Sequence, residues 1–191
     1  YLSCQSLYKY LPQHDDLFPA IAEQVPRARF VFLAHPRSPT LTRRFQARLE
    51  QAFEARGLCW ADHCRFLPHL NQADYFALNQ VSDVFLDTPA WSGGNTTLEA
   101  LACDLPVITL PGPFMRSRHA YAMLKALGLE ACIADSAEAY VALAIRMAED
   151  PAWRTEIARR IRERADATLF QQTGCVRELE AALETLVETR R

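Results

Sequence analysis

The feature that most constrains this chain is a rhythm: short apolar stretches of strand length alternate with longer stretches of helical period along its 191 residues. Asp15 to Gln24 is predicted as a helix because Leu17, Ile21 and Val25 recur at four-residue spacing, and the aromatic and β-branched run Arg29 to Ala34 follows as a strand. Thr40 to Arg56 sets Leu41, Phe45, Leu49 and Phe53 on one face with Arg and Glu opposite, a surface helix leading to a strand at Cys64 to Leu67. The alternation continues with a helix at Ala73 to Asn79, a strand at Val84 to Leu86, a helix at Thr96 to Cys103 and a strand at Pro106 to Leu110. A helix around Arg116 to Leu127, a short strand near Cys132 and helices at Ala137 to Glu149, Ala152 to Ala165 and Val176 to Glu188 complete the series. Strands apolar on both sides and separated by helices describe a parallel sheet covered on both faces. The expected class is α/β with a helical C-terminal tail, one domain over 1–191, without internal repeat, low-complexity segment or linker.

Composition narrows the function classes. Half of the residues are hydrophobic, enough for a real core, while net charge −2 provides no field to draw in nucleic acid or an anionic membrane. The arginines of Arg154 to Arg164 are interleaved with Glu156 and Glu163, the pattern of a solvated helix face. Six cysteines without framework spacing and no apolar run of transmembrane length point to a reducing cytoplasm. Cys59, His63 and Cys64 come closest to a metal cluster, but no second ligand pair completes a zinc site, so no metal is expected. The chain opens at Tyr1 without a methionine and its first apolar residues already read as part of a packed element, so upstream sequence is expected to be missing.

In open parallel sheets ligands bind beyond the carboxyl ends of the strands. The richest loop there is Asp87-Thr-Pro-Ala-Trp-Ser-Gly-Gly-Asn-Thr-Thr-Leu-Glu99. Gly93 and Gly94 are expected to reach positive φ and let a ligand approach the backbone; Asn95, Thr96 and Thr97 offer donors and caps at a helix start suited to a diphosphate. Glu99, one turn further, can accept from ribose hydroxyls. Taken alone, this stretch reads equally as an ordinary glycine turn with an Asn or Thr cap. It is neither a Walker loop nor Gly-x-Gly-x-x-Gly, which disfavours those two nucleotide-binding architectures. Pro68, His69 and Leu70 could offer backbone contacts to a base, with Tyr75 as an aromatic face beside them. Lys9 could meet a phosphate charge, and Arg116, Arg118 and His119, opening a helix, suggest a bound anion.

Together, Leu7-Tyr-Lys9, Ser82-Asp-Val-Phe-Leu-Asp-Thr-Pro89, Gly93-Gly-Asn-Thr-Thr-Leu-Glu99, Pro106-Val-Ile-Thr-Leu-Pro-Gly112 and Arg116-Ser-Arg-His119 resemble the C-terminal catalytic lobe of the O-GlcNAc transferase, or SPINDLY-type, family, most closely its bacterial TPR-linked members. The order and spacing are family-like across essentially the whole chain. The resemblance implies a GT-B architecture of two Rossmann-like lobes, of which this is the one that binds UDP-sugar, with the other lobe and TPR helices upstream meeting a protein or peptide acceptor.

The resemblance implies that Lys9 contacts the donor's β-phosphate and stabilises departing UDP. It implies that Asn95 and Thr96 meet the diphosphate, Glu99 the ribose, and the His69 and Leu70 backbone the uracil. Departures stand beside the matches: a lysine, a histidine and an arginine of the animal members are replaced by Gln72, Tyr75 and Leu78, and the histidine before the threonine pair by Gly94. The implied activity is metal-independent, cofactor-free transfer of a sugar such as GlcNAc to Ser or Thr of proteins, the general base lying outside this chain; no Asp-x-Asp motif is present. The alternatives are a protein N-glucosyltransferase, a UDP-GlcNAc 2-epimerase, and a catalytically silent nucleotide-sensing or scaffold module.

Overall fold

A computed structural model describes residues 1–189. Four parallel strands, β1 (Phe30–Leu33), β2 (Cys64–Leu67), β3 (Phe85–Leu86) and β4 (Val107–Ile108), pair as β1 with β2 and β3 with β4. The two pairs are joined by the chain's first residues, since Leu2 bridges in parallel to both Val31 and Phe85. Leu2 N–H donates to Val84 O at 2.8 Å and Ser3 N–H to Val31 O at 2.9 Å. A last parallel bridge, Thr109 to Ile133, adds the far edge. The sheet therefore runs β2, β1, Leu2, β3, β4, Ile133. Numbered along the chain, that is the doubly wound order 3-2-1-4-5-6. The order is present although the glycine fingerprint usually found after its first strand is absent; here that turn carries Lys9.

Consecutive strand residues point to opposite faces. Phe85, Leu86, Val107 and Ile108 are all at most 1% exposed, so both faces of the central sheet are covered. The covering helices are α1 (Leu17–Gln24), α2 (Pro39–Glu54), α3 (Trp60–His63), α4 (Gln72–Val81), α5 (Asn95–Ala102), α6 (His119–Ala126), α7 (Ala137–Glu149) and α8 (Pro151–Ala165). A π-helical turn, Asp166–Phe170, leads to α9 (Gly174–Glu188). The helix starts follow local chemistry: Ser38, Asn71, Ser136 and Asp150 cap α2, α4, α7 and α8 by accepting a backbone N–H, with Pro39 and Pro151 in the first turn of α2 and α8.

Two expectations are corrected. The helix expected from Arg116 to Leu127 is broken into a 3-10 turn at Met115–Ser117 and α6, because Arg118 leaves the helical region at φ −126° and ψ 10°. The strand near Cys132 is a 3-10 turn, Glu130–Cys132, followed by one bridging residue. The arginines of α8 act within the fold: Arg154 pairs with Asp83, Arg159 with Glu156 and Glu163, and Arg162 with Asp104.

The core beneath β1 is aromatic. Phe32 lies 5.1 Å from Phe18, 5.3 Å from Phe45 and 5.1 Å from Phe66, centroid to centroid, and Phe45 stacks on Tyr10 at 4.4 Å. Tyr10 carries this packing to the sheet's carboxyl edge: its hydroxyl donates to Ser3 O at 2.6 Å and accepts from Gln5 N–H at 3.1 Å. Arg48 holds the same segment from α2 through Tyr10 O and the Asp15 carboxylate. Phe32→Ala is expected to cost about 3–5 kcal/mol of stability, read from urea unfolding; a loss under ~1 kcal/mol would contradict the central place given to this ring.

Candidate functional site

In the doubly wound order the loops leaving the first segment and β3 diverge, opening a crevice at their carboxyl ends. Lys9 arrives from the first segment on a 3-10 turn, Leu7–Lys9, and the glycine loop arrives from β3. The two meet directly. Lys9 Nζ donates to Ser92 O at 3.2 Å and to Gln5 Oε1 at 3.0 Å, and Gln5 Nε2 donates to Thr96 Oγ1 at 2.7 Å. Lys9 and the start of α5 are thus joined by one side chain, Gln5, over a sequence separation of 91 residues on the Thr96 side.

The geometry of the glycines departs from expectation. Neither Gly93 nor Gly94 takes positive φ; Gly94 sits at −90°, and the left-handed residue of this loop is Ala90 at 67°. Close packing explains Gly93 instead. A Cβ there would lie 2.6 Å from each of the Thr96 and Thr97 hydroxyls and closer still to Gln5 Nε2, whereas one at Gly94 would meet only His119 Nδ1, at 3.9 Å. The capping expectation is corrected too: Gly94 is the N-cap of α5 and no side chain caps the helix, Asn95, Thr96 and Thr97 lying inside its first turn. That leaves first-turn N–H groups and the positive end of the helix dipole facing the crevice.

Beneath the loop lies a residue whose part in the site its place in the sequence does not reveal. Asp87, 1% exposed at the end of β3, accepts from Gly93 N–H on Oδ1 and from the Ser92 and Thr109 hydroxyls on Oδ2, each at 2.7 Å. Burial pushes its carboxyl up, opposed by those three bonds and by Lys9. The Lys9 ammonium is itself lowered by burial, and the Asp87 charge works the other way. Ser92 Oγ also accepts from Ala120 N–H at 2.9 Å, fastening the loop to α6, and Tyr140 donates to Asp87 O at 2.9 Å. An acid followed five and six residues later by Ser and Gly was the available signal; that Thr109 and Tyr140 share it was not visible.

Other expected residues lie around this centre. Pro68 and His69 are exposed and Leu70 half-buried, and the backbone groups of His69 and Leu70 make no bond among the described residues. His69 lines a hollow of about 350 Å³ with Gln5, Ser6, Tyr8 and His35. Tyr75 leans into the core; its hydroxyl is buried without a partner, and burial raises its pKa. Glu99 is half-buried, its carboxyl raised by the same cause. The cations after Gly112 turn to neighbours: Arg116 lies over Phe114 at 4.7 Å and Trp91 at 5.8 Å, and Arg118 donates to Gly112 O and lies over Tyr121. His119 Nδ1 is buried without a partner, facing Gly94. Cys59, His63 and Cys64 do not assemble: His63 bonds Ala28 O and stacks on Phe53, and no group of three metal-ligating residues occurs among the described residues. Nor is any described helix long and apolar enough to cross a membrane.

The sequence matches the family described as glycosyl transferase family 41 over residues 1–179. The chain belongs to that family. Among curated relatives it is 30% identical over 75% of its length to a Caenorhabditis elegans UDP-N-acetylglucosamine--peptide N-acetylglucosaminyltransferase, and 28% identical over 84% to a probable SPINDLY enzyme of Hordeum vulgare. It spans only 12% and 17% of those two proteins. Among solved structures, a mutant of the Thermobaculum terrenum O-GlcNAc transferase superposes with a TM-score of 0.82 at 29% identity, covering 95% of this chain and 35% of that one. The pneumococcal O-GlcNAc transferase GtfA, in complex with UDP and GlcNAc, shares the fold at 14% identity and a TM-score of 0.60. The Lys9 and α5 crevice is therefore the switch-point crevice of a family 41 lobe.

The two glycines of this site separate by substitution. Gly93→Ala is expected to lower stability by about 1–3 kcal/mol through overpacking against Gln5, Thr96 and Thr97, whereas Gly94→Ala has room and should stay within ~0.5 kcal/mol. Thermal unfolding of both variants checks this; equal losses would remove the close-packing account of Gly93.

Proposed function

We propose that this chain is the donor-binding lobe of a UDP-sugar-dependent protein O-glycosyltransferase that moves a sugar such as GlcNAc to Ser or Thr. The observation that carries the reading is the convergence of Lys9 with the uncapped start of α5 at the sheet's switch point. One cation, free first-turn amides and a helix dipole in one half-buried crevice suit a diphosphate. The names of the family 41 relatives supply the donor and acceptor classes.

In this reading the bond between the sugar's anomeric carbon and the β-phosphate oxygen breaks, the electron pair leaves with UDP, and an acceptor oxygen takes the carbon. Lys9 and the free α5 amides of Asn95 and Thr96 answer the charge that grows on the diphosphate, the Thr97 N–H being taken by Gly94 O. Gly93 and Gly94 admit it, Glu99 accepts from the ribose, and Pro68, His69, Leu70 and Tyr75 border the base. Arg116, Arg118 and His119 close the anionic side. The acceptor's proton goes to a group in the other lobe, where acceptor recognition also lies. No metal or cofactor is assigned, the cytoplasm is the assigned compartment, and the missing lobe and upstream TPR helices belong to the same proposal.

Lys9→Ala in the full-length enzyme is expected to lower kcat on the order of 10²- to 10³-fold; turnover within a few-fold of normal removes the leaving-group role. Calorimetric titration with UDP tests binding, and no heat at millimolar ligand would leave a silent scaffold. Because burial lowers the Lys9 pKa, and only the protonated ammonium answers a phosphate, UDP affinity should fall as pH rises, at a lower pH than an ordinary lysine would give. A flat alkaline profile that matches Lys9→Ala would contradict this.

A further inference from the structure

Asp87 is a buried acid that the transfer step does not itself use. Burying a carboxylate costs several kcal/mol unless its lone pairs are filled and a counter-charge is near. Here Gly93 N–H and the Ser92 and Thr109 hydroxyls fill them, and Lys9 is the counter-charge. Lys9 and Tyr140 are its titratable neighbours, and Tyr10, His14 and Asp15 line the same small hollow with them. The carboxylate grips both residues of the Ser92–Gly93 peptide. Its carbonyl side, Ser92 O, receives Lys9 Nζ, and its chain continues through Gly94 into α5. Ser92 Oγ simultaneously takes Ala120 N–H from α6. One acid therefore fixes three things relative to each other: the lysine, the helix start and the neighbouring helix.

We propose that Asp87 is the positioning residue of the donor site, setting Lys9 against the start of α5, through Ser92 and Gly93, at the spacing a sugar diphosphate requires. The proposal rests on the donor-site reading above. A residue that only held the fold would act on stability, equally with or without Lys9. One that positions Lys9 loses its effect once Lys9 is gone, because interacting sites are not additive.

The test compares Asp87→Asn, Lys9→Ala and the double variant in the full-length protein, measuring kcat, KM for donor and acceptor, UDP affinity and the thermal midpoint. Asp87→Asn should lower kcat and UDP affinity about 10- to 100-fold, as a small misplacement of a binding group does, with acceptor KM unchanged. In the Lys9→Ala background the same change should cost less than about twofold, the non-additivity of two sites acting as one. Equal factors in both backgrounds, or an unchanged kcat in Asp87→Asn, overturn the proposal while leaving the donor site standing. Absence of UDP binding by the unmodified protein sinks the donor-site reading and this proposal with it. Should Asp87→Asn fail to fold, Ser92→Ala carries the same expectation, and normal turnover in that variant overturns it.

Discussion

The pairing of Leu2 with both β1 and β3 is the constraint on which the rest of the structure depends. A parallel sheet whose first segment lies in its middle must send the chain outward first to one edge and then to the other. The turns leaving Leu2 and β3 then part at the carboxyl edge, and the gap between them is a crevice that no packing rule fills. Leu2 is wholly buried, so this placement is held by apolar packing on both faces as well as by four backbone hydrogen bonds: from Leu2 N–H to Val84 O, Ser3 N–H to Val31 O, Val31 N–H to Tyr1 O and Leu86 N–H to Leu2 O.

The crevice is polar at its floor for a physical reason. Asp87 cannot remain buried without donors, and the glycine loop supplies them by folding over it. That fold brings Ser92 O to Lys9 and leaves α5 to begin at Gly94 without a side-chain cap, so an acid, a cation and free helix amides share one neighbourhood. The aromatic cluster on the β1 side joins the same arrangement through Tyr10, whose hydroxyl binds Ser3 and Gln5. Core packing and site geometry are thus connected within the first ten residues.

Hydrophobic period made the element order legible: β2 and α7 lie where spacing placed them, and the other major helices and strands are within a few residues. Periodicity was less informative where an element is short. Met115–Ser117 and Glu130–Cys132 are 3-10 turns of three residues, too brief to carry a period of their own. The loops that border the crevice were legible from their residue types, and Lys9, Gly93 and Thr96 do meet there. Their local conformation was not: positive φ falls at Ala90, and Gly93 is needed for close approach rather than for backbone freedom.

The sequence by itself determined the α/β class, the order of the major helices and strands, and the family resemblance, because each rests on residues near one another in the chain. Only the tertiary structure decided that Gln5 spans from Lys9 to Thr96 and that Asp87 binds both Gly93 and Thr109. Those contacts join residues up to 91 positions apart, and they exist only because the sheet order sets two distant turns side by side. No local pattern records which strand lies beside which; that is settled by the burial of Leu2 between them.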